Sequence, residues 1–449
     1  MKTYIPKASP HASSLQNSVK EGISAEVVIR ILDYYLIPFA LFLGATEKFI
    51  GFLVAIPNFL SSFALIAAPL AVQVLKSRQK TIALSILLQA VILIPIAFLP
   101  FVAFPANVIL LIALVAAFRS LGTLLGPPWG SLMSDYLLPK QRGRFFGSRS
   151  RIVGFAGILA GMGAGALLYF LKGFSELGSF MCVFLVAAFC RALSYFFTKK
   201  MKDIDHKLIP GFKGLKEHAA VFLSHFKNRN FARFASYVST TTFATQMAYP
   251  FLSVWMLKGM GLNYLLYTSV HLASLAAGLF AFPIWGRHID IAGTVNIQKH
   301  TSLLIAFIPL LWIIMRRQPL GLIAVEVFSG LIWAGFNLCT SNFIYNTCSS
   351  SQRVHCLVFF NFINGTMAFA GAAAGGFLAQ HAPPFLGSPI LFLFLLSAVL
   401  RLLADLIIAP PLAEIRTDVR TLTAKELILS VLGFQPIMGR NAEMDAENV

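Results

Sequence analysis

Apolar residues in this chain run in blocks about as long as a bilayer is thick, separated by short polar loops. Twelve blocks can be drawn, at roughly 23–44, 49–75, 81–101, 107–134, 149–171, 178–198, 230–257, 264–284, 300–315, 319–347, 356–379 and 388–409. In hydrocarbon every backbone N–H and C=O has to be satisfied internally, which helices do and open sheets do not. The spacing therefore predicts an all-α, polytopic membrane protein with twelve transmembrane helices. Of its 449 residues, 57% are hydrophobic and 12% charged, which excludes an ordinary soluble domain.

The formal net charge of +18 would suit a nucleic-acid binder, but its placement suits a membrane protein. With the N-terminus on the cytoplasmic side, only Lys48, Lys172, Lys258, Arg316 and Arg317 among the 36 Lys and Arg fall in loops on the opposite face. That asymmetry is the positive-inside pattern. Basic clusters at Lys76–Lys80, Lys140–Arg151 and Lys199–Arg233 carry no interleaved aromatic platform. They are read as topology signals that also meet anionic lipid, with no nucleic-acid partner. Both termini are expected in the cytoplasm and the chain in the cell inner (plasma) membrane. Residues 1–22 lack the short apolar core and cleavage site of a signal peptide, so the first span serves as its own insertion signal. Cys182, Cys190, Cys339, Cys348 and Cys356 match no disulfide or zinc spacing.

The rhythm of spans breaks once, between Lys199 and about Asn230, in a polar stretch with Pro210, Gly211 and Gly214. The expected organisation is a cytoplasmic tail (1–22), a six-helix bundle (23–198), a central loop (199–229), a second six-helix bundle (230–409) and a cytoplasmic tail (410–449). A shift of 211 residues lays Asp135 on Asn346, Arg142 on Arg353, Gly154 on Gly365 and Gly165 on Gly376. Gly154, Gly157, Gly161 and Gly165 form a smooth stripe on span 5, and Gly365, Ala368, Ala372 and Gly376 form its counterpart on span 11. Small stripes let helices approach closely in a membrane. Such stripes serve either static packing or contacts that move.

With these spans, repeats and central loop, the chain resembles the major facilitator superfamily over nearly its whole length. The loop Gly286-Arg287-His-Ile-Asp290-Ile-Ala-Gly293 is similar to that family's cytoplasmic signature, in which glycines turn the chain at helix ends and the Asp caps a helix or pairs with an Arg. The corresponding loop of the first half, Pro69 to Lys80, keeps the basic end but lacks the Gly and Asp. The loop from Asp135 to Gly147, with Arg142, looks like the family's acidic and basic loop before span 5, so Asp135, Arg142 and its repeat partner Arg353 are assigned to gating. Arg119 with Gly122 matches the span 4 signature in part, and span 5 lacks the Gly-Pro pair of the antiporter signature.

The resemblance implies that spans 1, 4, 7 and 10 line a central cavity. Independently, the sequence puts Asp33 on span 1, Arg119 on span 4, Gln246 and Tyr249 on span 7, and Glu326, Trp333, Asn337 and Asn342 on span 10. Charges inside a membrane are costly and are retained where they face a cavity or a partner. Asp33 and Arg119 each lie roughly 15 Å along their spans, near the midplane and within reach of one another. They form either a proton-coupling pair, with Glu326 as a second acidic site, or a fixed ion pair holding spans 1 and 4 in register. Gln246, Tyr249, Trp333, Asn337 and Asn342 are cavity-lining residues or helix-to-helix glue. Arg401 and Asp405, four apart, are expected to pair on one face of span 12. His271 is expected to pack, and Arg191 to snorkel to the interface.

The function expected is secondary active transport of a small solute by alternating access, coupled to protons, in a monomer without cofactor or metal. No nucleotide-binding loop is present to supply ATP drive. Two alternatives stand beside it: facilitated diffusion on the same fold, and a transporter-shaped sensor that binds without turnover. An enzyme is disfavoured, because no nucleophile–base or metal-ligand set is evident in the spacing.

Overall fold

The apolar blocks become helices, which satisfy most of their backbone polar groups internally. The computed structural model describes residues 10–204, 220, 223–224, 228–348, 353–414 and 419. Most of the central loop lies outside the described residues, as do the side chain of Arg353 and the stretch Thr423–Glu426, where Thr and Glu have the spacing of a helix capping box. Twelve long helices are present among the described residues: α1 (Ala12–Phe42), α2 (Glu47–Leu75), α3 (Arg78–Phe98), α4 (Ala106–Asp135), α5 (Pro139–Leu171), α6 (Glu176–Lys199), α7 (Arg229–Val254), α8 (Tyr264–Ala292), α9 (Thr294–Ile314), α10 (Pro319–Thr347), α11 (Arg353–His381) and α12 (Pro389–Ile407). No β-strand occurs among the described residues.

Ten of the twelve are long and apolar enough to cross a membrane; α1 and α7 are long enough but too polar. Helix α1 carries Glu26, Arg30 and Asp33, and α7 carries a run of hydroxyls, Ser239 to Thr242, followed by Thr245 and Gln246. These are the first helices of the two repeats. Polar and charged groups at the same place in both halves would be costly against lipid tails.

The chain divides into two compact units. The first comprises the residues up to Leu215 together with Tyr249–Leu272 and Ala368–Ala382, so it takes in the adjoining ends of α7 and α8 and the end of α11. Within it α2 packs on α4, α3 on α4 and α6, and α1 on α5 and α6. In the second unit α9 packs on α10 and α12, as α3 does on α4 and α6. The contacts of the third helix of each half thus follow one pattern.

Helix starts repeat as well. At α3 the turn is made by Lys76 in the left-handed region (φ 50°), and Ser77 caps the helix by accepting from Lys80 N at 3.0 Å. Asp203, just after α6, adds its carboxylate there, bonded to Ser77 Oγ and accepting from Gln79 N at 3.4 Å. At α9 the turn residue is Gly293 (φ 86°), and Glu414, just after α12, accepts from Val295 N at 2.7 Å and Asn296 N at 3.4 Å. Each carboxylate satisfies orphan N–H groups and meets the positive end of a helix dipole.

Candidate functional site

Reading along α1 gives the site in order. Residues Glu21 to Ile29 line a cavity of about 410 Å³, closed on its other sides by Gln89 of α3, Phe118 to Trp129 of α4, Arg149 and Val153 of α5, and Arg191 of α6. One turn further on, Arg119 Nη2 donates to Asp33 Oδ1 at 2.7 Å. Arg30 lies beside this pair, 3.5 Å from Asp33 and 2.8 Å from Glu26. The side chains of Asp33 and Arg119 keep 30% and 38% of their surface exposed, so the pair lies open on the wall of the helix bundle. Sequence spacing placed these two within reach of one another, and the structure joins them.

Beyond Asp33 the same helix enters a closed layer. Tyr35 OH donates to the Gly161 carbonyl at 3.0 Å and shares a 2.5 Å hydrogen bond with Thr268 Oγ1. Tyr267 OH reaches the Tyr34 carbonyl at 2.8 Å and Ser253 Oγ at 3.0 Å. His271 is buried here, stacked on Tyr34 with ring centres 5.5 Å apart and 3.4 Å from Ser253 Oγ. It packs, as expected. Further out, Tyr264 OH donates to Glu176 at 2.7 Å and Lys258 pairs with Glu47 at 3.2 Å.

Glycine makes this layer possible. A Cβ on Gly165 would sit 2.8 Å from both Tyr35 Oη and Thr268 Oγ1, and one on Gly157 would sit 2.8 Å from Glu26 Cγ. Gly161 faces Tyr34 and Leu272, and Gly154 is buried on the same stripe. At the end of α11, Gly376 packs backbone to backbone on Gly51 of α2, where a Cβ would come within 3.0 Å of the Gly51 Cα. Gly365, the counterpart of Gly154, is half-buried.

The C-terminal candidates fall into two groups. Asn337 is exposed on α10, with Trp333 and Asn342 half-buried. Ser341 and Tyr345, also exposed, extend the row at intervals of four residues; alternation of polar types at that spacing was the signal for them, and it went unread. On α7 Tyr249 is exposed and Gln246 half-buried. Glu326 has a different setting: it is fully buried and accepts from Trp312 Nε1 at 3.0 Å, across α9 and α10.

A family model of the Major Facilitator Superfamily matches residues 25–375. The chain belongs to the Major Facilitator Superfamily. Solved superfamily-like structures share its fold at low identity. The nucleoside transporter NupG superposes with a TM-score of 0.68 at 15% identity, covering 88% of this chain and 97% of that one. A bacterial homologue of the iron transporter ferroportin, in an inward-facing state, gives 0.64 at 11%, covering 88% and 97%. A bacterial homologue of the human lysosomal transporter Spinster, inward-facing and unoccupied, gives 0.59 at 14%, covering 89% and 97%. No curated protein sequence matches the chain.

The superfamily's loop signatures are met in altered form. Gly286 lies inside α8 with nothing near it, so it makes no turn; Gly293 makes the turn. Arg287 and Asp290 are exposed near the end of α8, and the carboxylate on the start of α9 belongs to Glu414, not Asp290. Asp135 accepts from Arg78 Nη1 at 2.7 Å, whereas Arg142 donates to the Ser134 carbonyl at 3.0 Å. Arg78 also donates to Ser131 Oγ at 2.7 Å and the Ile204 carbonyl at 3.1 Å. The first loop, which lacks the signature Gly and Asp, is therefore anchored by its own arginine.

Two further expectations are corrected. Arg191 does not snorkel: it is buried against α3, its Nε donating to Gln89 Oε1 at 2.9 Å, because that amide offers the guanidinium an acceptor inside the bundle. Arg401 and Asp405 do not pair with each other. Arg401 donates to the Ile305 carbonyl at 3.1 Å and Asp405 accepts from Tyr237 OH at 2.5 Å, so each takes its partner across a helix interface, while Arg401 Nε and Nη2 and Asp405 Oδ2 have no hydrogen-bond partner among the described residues. Asn364 of α11 accepts from Thr242 of α7 at 3.1 Å, a hydrogen bond between helices.

Proposed function

We propose that the chain is a secondary transporter that moves a small solute by alternating access, with a proton as the coupling ion at the Asp33–Arg119 pair. The observation that carries this is the pair's position on α1 and α4. It has an open cavity on one side, a tyrosine-rich closed layer on the other, and roughly a third of each side chain exposed. A carboxylate held by one guanidinium is released when it takes up a proton, and its partner is then free for another anion. An ion pair shared by α1 and α4 can in this way exchange a fixed contact for a bound solute and loosen the layer next to it.

Structures with this fold are named as a nucleoside transporter and as a bacterial homologue of an iron transporter, so the fold supports transport and leaves the solute open. On this reading the chain is a transporter and no enzyme. The chain is further proposed to act as a monomer in the cell inner membrane, surrounded by lipid, with both termini cytoplasmic. Glu326, held by Trp312, is retained as a second acidic site.

A flux screen in proteoliposomes across solute classes, with and without a pH gradient, tests the proposal. Uphill movement of one solute driven by the gradient supports it. Flux that ignores the gradient favours facilitated diffusion, and saturable binding without flux favours a sensor.

A further inference from the structure

The cavity beside α1 has a charge balance that its lining does not close. Its rim and lining, with their direct partners, contain four guanidinium groups, Arg30, Arg119, Arg149 and Arg191, and three carboxylates, Glu21, Glu26 and Asp33. Glu26 pairs with Arg30, Asp33 with Arg119, and Glu21 with Arg149 at 3.2 Å. Arg191 is the cation left without a carboxylate within ion-pair distance among the described residues. Both its Nε and Nη2 donate to the amide oxygen of Gln89, and Nη1 reaches Ser194 Oγ at 3.4 Å. Gln89 is itself locked: its Nε2 donates to the Phe118 carbonyl at 2.7 Å, which turns its oxygen toward Arg191.

A guanidinium has five N–H donors, so two of those on Arg191 remain for a ligand. It is only 6% exposed yet lines the cavity. A buried cation whose direct acceptors are neutral is costly, with Glu21 linked to it only through Ser194, which accepts from Nη1 and donates to Glu21 Oε1 at 3.2 Å; an entering anion would offset that cost. The rest of the lining is chiefly apolar, with Val28, Ile29, Phe118, Leu125, Trp129 and Val153. Arg149 lies over the Trp129 ring, 4.5 Å from its centre, and is neutralised by Glu21.

We propose that this cavity binds a singly charged amphipathic organic anion, its carboxylate-like head at Arg191 and its apolar body along Phe118, Leu125 and Trp129. The assignment rests on reading the cavity as the solute site of a transporter. It adds the charge, the valence and the residue that selects them.

Three probes of nearly equal size separate charge from shape: indole-3-acetate, its neutral amide and the cation tryptamine. Each is titrated calorimetrically into the purified full chain at neutral pH. The acid is expected to bind at least tenfold tighter than the amide, and tryptamine more weakly than either. Arg191→Gln removes the surplus charge, and Gln89→Glu cancels it while leaving Arg191 in place with a better partner. Both are expected to bring the acid down to the level of the amide, whereas Arg191→Lys keeps the preference. Gln89→Glu also gives up the bond from Nε2 to the Phe118 carbonyl, so thermal unfolding of each variant establishes that it is folded before its affinities are compared. Equal affinities for the three probes, no binding of any, or undiminished acid binding by Gln89→Glu overturns the assignment. Binding of the acid without vesicle flux would leave the site standing and remove the transport reading; flux with no preference for anions would do the reverse.

Discussion

Asp203 and Glu414 stand 211 residues apart and do the same work, each laying a carboxylate on the first turn of the third helix of its own half. Nothing in the local sequence of either announces a cap, since the helix it serves starts more than a hundred residues earlier. Substituting Ala at either should cost about 0.5–2 kcal/mol, the range for a lost cap with its dipole contact. Because the two sites share no partner, the double variant should lose the sum. Thermal unfolding of the purified protein reads this, and equal stability of all four forms would contradict it.

The two glycines of the loop signature should behave oppositely. Gly293 has φ 86° and its missing Cβ leaves room for the Glu414 carboxylate, so Gly293→Ala should destabilise by about 1–3 kcal/mol. Gly286 is helical with open space around it, so Gly286→Ala should be neutral or add up to about 1 kcal/mol. A loss of stability at Gly286 would return it to the turn-forming role its motif suggested.

Arg78 is expected to be needed as a fork rather than as a charge. It holds Ser131, Asp135 and the Ile204 carbonyl, and its side chain is 5% exposed while that of Asp135 is 35% exposed. Arg78→Lys keeps the charge but cannot span all three acceptors. A cost of about 1–3 kcal/mol is predicted for Lys as well as Gln, discounted for the solvent around Asp135. Full stability of the Lys variant would show that charge alone suffices.

The closed layer beyond Asp33 makes a kinetic prediction. If it must open during each cycle, joining Glu47→Cys to Lys258→Cys with a short bifunctional thiol reagent should stop flux, and reductive release of a cleavable reagent should restore it. Gly165→Val, which drives a side chain into Tyr35 and Thr268, should impair flux, while Gly163→Val, in open space, should not. Unaltered flux in the crosslinked protein would mean that this layer does not move.

Much of this was legible beforehand because it depends on local pattern. Span number follows from block length, and the repeat from matching residues at one shift. The Asp33–Arg119 contact follows from two charges too costly to leave apart in a membrane. What escaped was long-range partner choice. Arg191 finds Gln89 and Asp135 finds Arg78 because helix packing brings them together; nearer candidates in sequence, such as Arg142, point elsewhere. Glu326 was legible as an acid inside a span, but not that Trp312 on the neighbouring helix supplies the N–H it accepts. Sequence spacing names the polar groups that need partners, and tertiary packing selects the partners.

The most direct test of the central claim is pH-gradient-driven uptake by Asp33→Asn in proteoliposomes, beside the unaltered protein and with the same solute. The substitution keeps the shape and a hydrogen bond to Arg119 while removing the group that takes up a proton. Uphill uptake should disappear, while exchange of solute between equal concentrations continues. Gradient-driven uptake that survives in Asp33→Asn would contradict the account and leave the Asp33–Arg119 contact a structural tie between α1 and α4.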